Sequence, residues 1–178
     1  MDFSYKKDFK RKVITMKYYI KQKLFSWNDK FTIKDSQGRD IYSVEGEFLS
    51  WGKKLHVREM SGKEVLYIEQ HLWKFLPTYS LFVDNKEQAK VSKEFTFFKP
   101  QYTIDGPNWQ VEGSFWEHDY QIISNQGVIA TISKEWLTWG DNYALDIKDE
   151  AHMLLALGVI IVIDCVIASQ QASANSGS

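Results

Sequence analysis

Short segments with alternating apolar and polar residues dominate the chain before Lys148. Segments such as KLHVRE (54–59), EVLYIEQ (64–70) and VIATIS (128–133) place an apolar side chain at about every second position. Successive side chains of a β-strand point to opposite faces, so this alternation predicts strands with one face in a core. No helical periodicity of useful length precedes Lys148. This part of the chain is therefore predicted to be all-β.

Turn sequences separate these segments at regular intervals. Asn, Asp and Gly tolerate the positive φ of tight turns, which makes such sequences typical of β-hairpins. The predicted turns are DSQG from Asp35, MSGK from Met60, DNKE from Asp84, DGPN from Asp105 and SNQG from Ser124. Roughly ten to twelve short strands follow from this spacing, as in a sandwich or barrel.

Three segments, starting at Ile20, Ile68 and Ile132, share one spacing without gaps. The matched positions are Trp27, Phe75 and Trp139, then Phe31, Tyr79 and Tyr143, then Ile33, Leu81 and Leu145. The motifs VEGEF (44–48), VSKEF (91–95) and VEGSF (111–115) also resemble one strand used three times. The chain is therefore predicted to consist of related β-units. The recurring aromatic residues are predicted to be barrel core rather than a platform on which nucleic-acid bases stack.

A long apolar run, HMLLALGVIIVIDCVIASQ, lies near the end of the chain. A membrane span needs about 20 predominantly apolar residues, and Asp164 interrupts this run. Its apolar residues lie nearly all round a helix, which is typical of a helix buried on every side. A barrel of about twelve strands is wide enough to need such a filling. We therefore predict a buried core helix over about 149–170, with Asp149 as N-cap and Asp164 near a partner or the barrel mouth; a membrane-spanning helix is the alternative.

Composition excludes several classes of protein. The net charge is −1, which gives no overall attraction to nucleic acid. Cys165 is the only cysteine, so no intramolecular disulfide can form and nothing indicates an oxidising compartment. The polar, basic start of the chain lacks the apolar core of a signal peptide. We expect a cytoplasmic protein, peripheral to the membrane if it binds there.

Residues that carry chemistry are few and scattered. The four histidines do not pair at metal-ligand spacing, and neither a phosphate-binding loop nor a G-x-S-x-G motif occurs. The EHD sequence (117–119) is interpreted as a solvated strand end. Asp29 and Asp141 fall at one position of the repeat, which favours turn geometry over a catalytic pair. We expect no catalytic centre, no metal and no cofactor.

Positive charge is concentrated at the start of the chain. Residues 1–23 contain eight Lys or Arg and two Asp, a local charge of +6, and the remainder therefore carries −7. The simpler interpretation is that the basic start of the chain is a solubilising segment and that the later basic residues lie on an ordinary exposed hairpin. The alternative is a site for anionic lipid headgroups, since each Lys or Arg near an anionic surface contributes about 1 kcal/mol. Its predicted residues are Lys6, Lys7, Lys10, Arg11, Lys12, Lys53, Lys54 and Arg58.

The sequence resembles the LURP-one-related family, and its short bacterial members most. The resemblance runs from Met16 to about Ala168 and is carried by MKYYIKQKLFSWNDKFTIKDSQGRDIYSVEGEFLSWGKKLHV and by REMSGKEVLYIEQHLWKFLPTYSLF. It implies a relationship to Tubby C-terminal domains and phospholipid scramblases. The fold it implies is a closed antiparallel barrel of about twelve strands around a hydrophobic C-terminal helix. Tubby domains bind phosphoinositides, but the acidic calcium-binding segment of scramblases is missing here.

These observations predict one Tubby-like domain over 16–170, a basic extension over 1–15 and a disordered tail over 171–178. The first functional hypothesis is a non-catalytic module that binds a membrane surface. The second is a scaffold that binds an unidentified protein partner. An enzyme or carrier with a ligand inside the barrel is the third, and a filled barrel disfavours it. Nucleic acid is not an expected partner.

Overall fold

A computed structural model describes residues 15–21, 30–47, 50–96, 100–137 and 140–175 of the chain. Its elements are twelve β-strands, a short 3₁₀ helix and one long α-helix. The strands are β1 Met16–Lys21, β2 Phe31–Asp35, β3 Asp40–Gly46, β4 Lys54–Glu59, β5 Glu64–Gln70, β6 Thr78–Val83, β7 Lys86–Lys93, β8 Tyr102–Asp105, β9 Trp109–Ser114, β10 Asp119–Ser124, β11 Gly127–Leu137 and β12 Gly140–Ile147. The 3₁₀ helix is Glu150–His152, and helix α1 is Met153–Asn175.

The strands form a closed antiparallel barrel in which each strand pairs with its neighbours along the chain. The first and last strands close it: Met16 pairs with Ile147 and Lys21 with Asn142. Closure removes the sheet edges that would otherwise expose unpaired backbone groups. The predicted fold class, a closed barrel of about twelve strands around a buried helix, is confirmed.

Antiparallel connections alternate between the two ends of the barrel, and the two ends differ in character. The end that carries the connections β2–β3, β4–β5, β6–β7, β8–β9 and β10–β11 is called the turn end; the opposite end is called the loop end. All five predicted turns lie at the turn end. Positive φ occurs there at Gly38, Gly62, Asp84, Asn85, Gly106, Asn108 and Gly127. The turn chemistry read from the sequence therefore matches the backbone that short hairpins need.

The three-fold repeat corresponds to three hairpins of identical register. The first residue of each repeat pairs with the residue thirteen places on: Ile20 with Ile33, Ile68 with Leu81, and Ile132 with Leu145. All six side chains are buried. The aromatic position eleven places on is buried too, at Phe31, Tyr79 and Tyr143. The prediction that these recurring residues form barrel core is confirmed for these positions.

The remaining matched position does not follow this rule. Phe75 lies in the β5–β6 connection at the loop end and is 92% exposed, so the prediction that it belongs to the core is wrong. Seven places after a strand residue the chain has left the strand, and recurrence there reflects equivalent loops rather than equivalent burial. The corresponding Trp27 and Trp139 lie outside the described residues.

The strand motif used three times recurs in only two equivalent places. Val44 pairs with Phe31 and Val91 with Tyr79, and both valines are fully buried. Val111 instead pairs with Ile122 of β10 and is only half-buried. Its motif therefore belongs to the hairpin that precedes the third repeat.

Helix α1 enters the barrel at the turn end and passes through it to the loop end. The Asp149 side chain accepts a hydrogen bond from the Ala151 amide at 3.0 Å, and so caps the 3₁₀ helix that leads into α1. Every residue from Ala156 to Ile167 is buried. The helix extends beyond the predicted end at 170, since residues 171–175 of the expected tail continue it and are exposed.

The helix is long and apolar enough to cross a membrane, but it serves as the core of the barrel. In its most apolar window, 72% of the residues are buried inside the protein. Gly158 shows how close the packing is, because a Cβ at this position would lie 3.1 Å from a methyl group of Leu81 and 3.2 Å from one of Leu66. The prediction of a core helix is thus confirmed over the membrane-spanning alternative.

A charge placed on the buried face of the helix should prevent folding. Val159 is 0% exposed, and Val159→Asp would bury a carboxylate without a partner. We expect a loss of at least about 4 kcal/mol, comparable with the whole stability of many domains. Soluble yield and urea unfolding measure this. Ala172→Asp, on the exposed end of the same helix, is the matched control and should behave like the parent protein. Normal stability of Val159→Asp would contradict the central position of α1.

Candidate functional site

A buried polar cluster lies where helix α1 approaches the loop end. Its centre is Asp164, a carboxylate only 5% exposed in the middle of the apolar helix. Tyr143 of β12 donates a short hydrogen bond from Oη to Oδ2 of Asp164. Nε2 of His118 lies 3.2 Å from Oδ1. Both carboxylate oxygens thus have partners, which a buried carboxylate requires. The expectation that Asp164 needs a partner is met by two.

His118 reaches the helix because the β9–β10 connection bends inward. His118 has a φ of +50°, and its amide donates to the Phe115 carbonyl at 3.3 Å. Its ring stacks on Tyr143 with centroids 4.6 Å apart. The interpretation of EHD as a solvated strand end is therefore wrong for the histidine, which is 8% exposed, although Glu117 and Asp119 on either side are exposed.

Two further tyrosines face the same cluster. Burial raises the pKa of Tyr102 and of Tyr120, and the nearby charge of Asp164 raises both further. Burial likewise raises the pKa of Tyr143 well above its usual value. The three phenols therefore stay protonated near neutral pH. The hydroxyls of Tyr102 and Tyr120 and Nδ1 of His118 are buried without a hydrogen-bond partner among the described residues.

The chemistry of this cluster suits a structural role better than a catalytic one. A phenol whose pKa is raised is a poor base or nucleophile near neutral pH. Burial also raises the pKa of the neighbouring Cys165 to about 12, so its thiol is not ionised there. Among the residues that the structure describes, no group of three His, Cys, Asp or Glu side chains could hold a metal ion.

The predicted basic residues that the structure describes lie on β4 and just before it. Lys54 is 3.8 Å from Glu47 and 3.7 Å from Glu69, which are distances of loose ion pairs. Arg58 is bonded more closely, to Glu45 at 3.1 Å and Glu64 at 3.3 Å. An anionic ligand at either side chain would have to displace these carboxylates.

Lys53 precedes the strand and is held by its backbone. Its amide donates to the Gln70 side chain at 3.0 Å, and its carbonyl accepts from the Gln70 amide at 2.8 Å. Lys6, Lys7, Lys10, Arg11 and Lys12 lie outside the described residues, as does Asp29. The described chain begins at the turn end, where β1 starts, whereas Lys53 lies at the loop end. Of the predicted basic residues, the structure therefore describes Lys53, Lys54 and Arg58, which lie close together along the chain.

The outer face of β3–β5 is a mixed network of charges rather than a basic patch. His56 lies at its centre, with Nδ1 2.6 Å from Glu64 and Nε2 2.9 Å from Glu47. Lys30 pairs with Glu45, and the hydrogen bond from Lys30 is the largest cause of the lowered pKa of that carboxyl. Sequence reasoning missed this network because it counted cations along the chain, whereas the carboxylates face them from neighbouring strands.

A closed twelve-stranded antiparallel barrel around a central apolar helix defines a Tubby-like class of protein. The family model described as LURP-one-related matches residues 16–164, and the chain belongs to that family. It is 36% identical over 149 residues to the Bacillus subtilis protein YxjI, a match that covers 84% of this chain and 92% of that protein.

The crystal structure of an Arabidopsis thaliana protein has a similar fold. It superposes with a TM-score of 0.62 at 15% identity and covers 85% of this chain and 91% of the plant protein. Identity at this level supports the fold alone. The family model, the bacterial relative and the similar fold of the plant protein thus confirm the resemblance to the LURP-one-related family that the sequence predicted.

Two buried tyrosines of the cluster offer a matched test of its hydrogen bonds. Tyr143→Phe removes the donor to Asp164 and should cost about 1–3 kcal/mol, since a buried carboxylate loses a partner. Tyr120→Phe removes a buried hydroxyl that has no hydrogen-bond partner in the described part of the chain, and should be nearly neutral or stabilising. Free energies of unfolding from urea titration measure both. Equal costs for the two variants would show that Asp164 does not depend on Tyr143.

Proposed function

We propose that this protein is a non-catalytic binding module that recognises anionic phospholipid headgroups at a membrane surface. It acts in the cytoplasm as a peripheral protein, and the barrel serves as a rigid carrier. The observation that carries the proposal is the filled interior. Because α1 is buried from Ala156 to Ile167, a ligand has to be recognised on the outside of the barrel.

The charge distribution along the chain supports an anionic partner. Residues 1–23 carry +6, although the total is −1. A molecule polarised in this way orients its basic segment toward an anionic surface. Lys53 and Lys54 supplement this attraction at the loop end. Arg58 contributes less, because two carboxylates already hold it within 3.3 Å.

Membership of the LURP-one-related family and the Tubby-like barrel are consistent with this proposal. The resemblance to lipid-linked barrels favours a lipid surface over a soluble anion. A scaffold that binds another protein is the alternative, and it is favoured by the rigid core and the closed charge network on β3–β5.

Neutralising the basic segment should weaken membrane binding without unfolding the barrel. In Lys10→Gln/Arg11→Gln/Lys12→Gln, the loss of three charges worth about 1 kcal/mol each should lower partitioning at least about tenfold. Co-sedimentation with vesicles of phosphatidylserine and phosphatidylcholine at about 0.1 M salt measures this. Deletion of residues 1–15 should have a larger effect. Binding should fade at about 1 M salt, where the Debye length falls to about 3 Å.

A control of equal charge separates a local effect from a general one. Lys63, Lys86 and Lys90 lie away from the loop end, and Lys63→Gln/Lys86→Gln/Lys90→Gln removes the same charge at another place. We expect this variant to bind like the parent protein. Equal losses in both triple variants would mean that net charge alone matters. If the parent protein ignores anionic vesicles at low salt, the proposed function is wrong and the scaffold takes its place.

A further inference from the structure

Large apolar side chains are exposed almost entirely at one end of the barrel. Among the described residues, six large apolar side chains are exposed in connections of the loop end: Trp51, Leu72, Trp73, Phe75, Phe95 and Trp116. At the turn end, Met60 is the large apolar side chain exposed among these described residues. Scattered exposed apolar residues need no explanation, but six at one end do. The segregation indicates that the two ends meet different surroundings.

Four of these side chains lie on two neighbouring loops. Trp51 lies in the β3–β4 connection, and Leu72, Trp73 and Phe75 lie in the β5–β6 connection. The loops are in contact, since a Cβ placed on Gly52 would lie 2.9 Å from Cδ2 of Leu72. These four side chains are called the apolar tips.

The β5–β6 loop is anchored at its base by hydrogen bonds while it exposes its tips. The His71 amide donates to the Thr78 carbonyl at 2.8 Å, and the Lys93 amide donates to the Pro77 carbonyl at 2.9 Å. Trp73 has a φ of +65° and is 94% exposed. The left-handed conformation is unfavourable for a bulky side chain, so this backbone geometry lowers stability while it exposes the indole.

The shape of the apolar tips favours a soft partner over a rigid one. Trp51 is 82% exposed and Phe75 92%, so each of these tips projects with little support from its neighbours. Separate convex tips need a matching pocket in a protein partner, whereas a fluid lipid interface adapts to them. Trp and Phe are the side chains that anchor proteins at membrane interfaces.

Charge near the apolar tips fits the same partner. Lys53 and Lys74 flank the tips, and neither Ser50–Lys54 nor His71–Thr78 contains an acidic residue. Lysine beside an indole places the ammonium group at headgroup depth and the ring in the acyl boundary. Helix α1 also ends at the loop end, and the chain from Cys165 onward has no charged residue.

We infer that the loop end docks on a lipid bilayer, with Trp51, Leu72, Trp73 and Phe75 inserted into the interface and Lys53 and Lys74 at the headgroups. This inference rests on the proposed function in having the membrane as partner. It differs from that proposal in the surface that contacts the membrane, which is the loop end. It also differs in the interaction involved, because insertion of apolar tips depends less on salt than attraction of the basic segment does.

A fluorescent label tests insertion directly in the full-length protein. Cys165 is buried and its pKa is raised to about 12, so a thiol-reactive NBD dye should label an introduced exposed cysteine in preference to it. With vesicles of phosphatidylserine and phosphatidylcholine, the dye on Phe75→Cys should brighten and shift to shorter wavelength. The dye on Ser61→Cys, at an exposed position of the turn end, should not change.

A substitution at the most exposed tip separates binding from folding. Trp73→Asn suits the positive φ, because Asn tolerates the left-handed region, so its thermal unfolding midpoint should equal or exceed that of the parent protein. Its vesicle affinity should fall at least about tenfold. Met60→Asn removes an exposed apolar side chain at the other end and should bind normally.

Each outcome distinguishes the inference from the proposed function. A shifted dye at position 75 with unchanged binding of the Lys10, Arg11 and Lys12 variant supports insertion and overturns the role of the basic segment. Sedimentation of the protein with vesicles without a change of the dye overturns insertion and leaves electrostatic recruitment. Absence of vesicle binding overturns both. If the parent protein self-associates without lipid and Trp73→Asn does not, the apolar tips form an interface between copies and the inference is wrong.

Discussion

A barrel of twelve strands encloses more space than a wall of side chains can fill, and the structure depends on how that space is occupied. Helix α1 occupies it, and every residue from Ala156 to Ile167 is buried. Helix and barrel are therefore mutually dependent. The helix would be insoluble without the wall, and the wall would enclose a void without the helix. Even Gly158 reflects this fit, since a Cβ there would press against Leu66 and Leu81.

Asp164 is a buried carboxylate in this otherwise apolar part of the helix, and its contacts show how the core accommodates a polar group. Its two oxygens are matched by Tyr143 from the last strand and His118 from an inward-bending connection. Among the residues that the structure describes, the neighbouring hydroxyls of Tyr102 and Tyr120 have no hydrogen-bond partner, and their burial costs free energy in this apolar interior. Because His118, Tyr143 and Asp164 come from three elements, the cluster fixes the depth and rotation of the helix relative to the wall.

Much of the fold could be predicted from the sequence, because turns and hairpins depend on residues that are close together in the chain. Turn residues marked five hairpins, and the spacing from Ile20, Ile68 and Ile132 indicated related β-units, which the structure resolves as three hairpins of one register. The site was less readable, because its contacts join residues distant in sequence. Nothing near His118 shows that it meets Asp164, and the carboxylates around Arg58 come from other strands. Phe75 was wrongly predicted to be buried. The repeat preserves a residue's position relative to the strands, and at this position the chain lies in a loop outside the barrel wall.

The same topology explains why function is better sought at one end than in the interior. The buried strand residues that the structure describes form one hydrophobic core with helix α1, and the turn end uses short hairpins whose Gly, Asn and Asp serve geometry. Apart from the β9–β10 connection, whose His118 contacts Asp164, the loop end is subject to neither constraint. Its β3–β4, β5–β6 and β7–β8 connections are longer than any at the turn end, and the β5–β6 loop projects Trp73 in a conformation that costs stability. An exposed indole in such a conformation contributes nothing to the core, which favours a role outside the fold for Trp73.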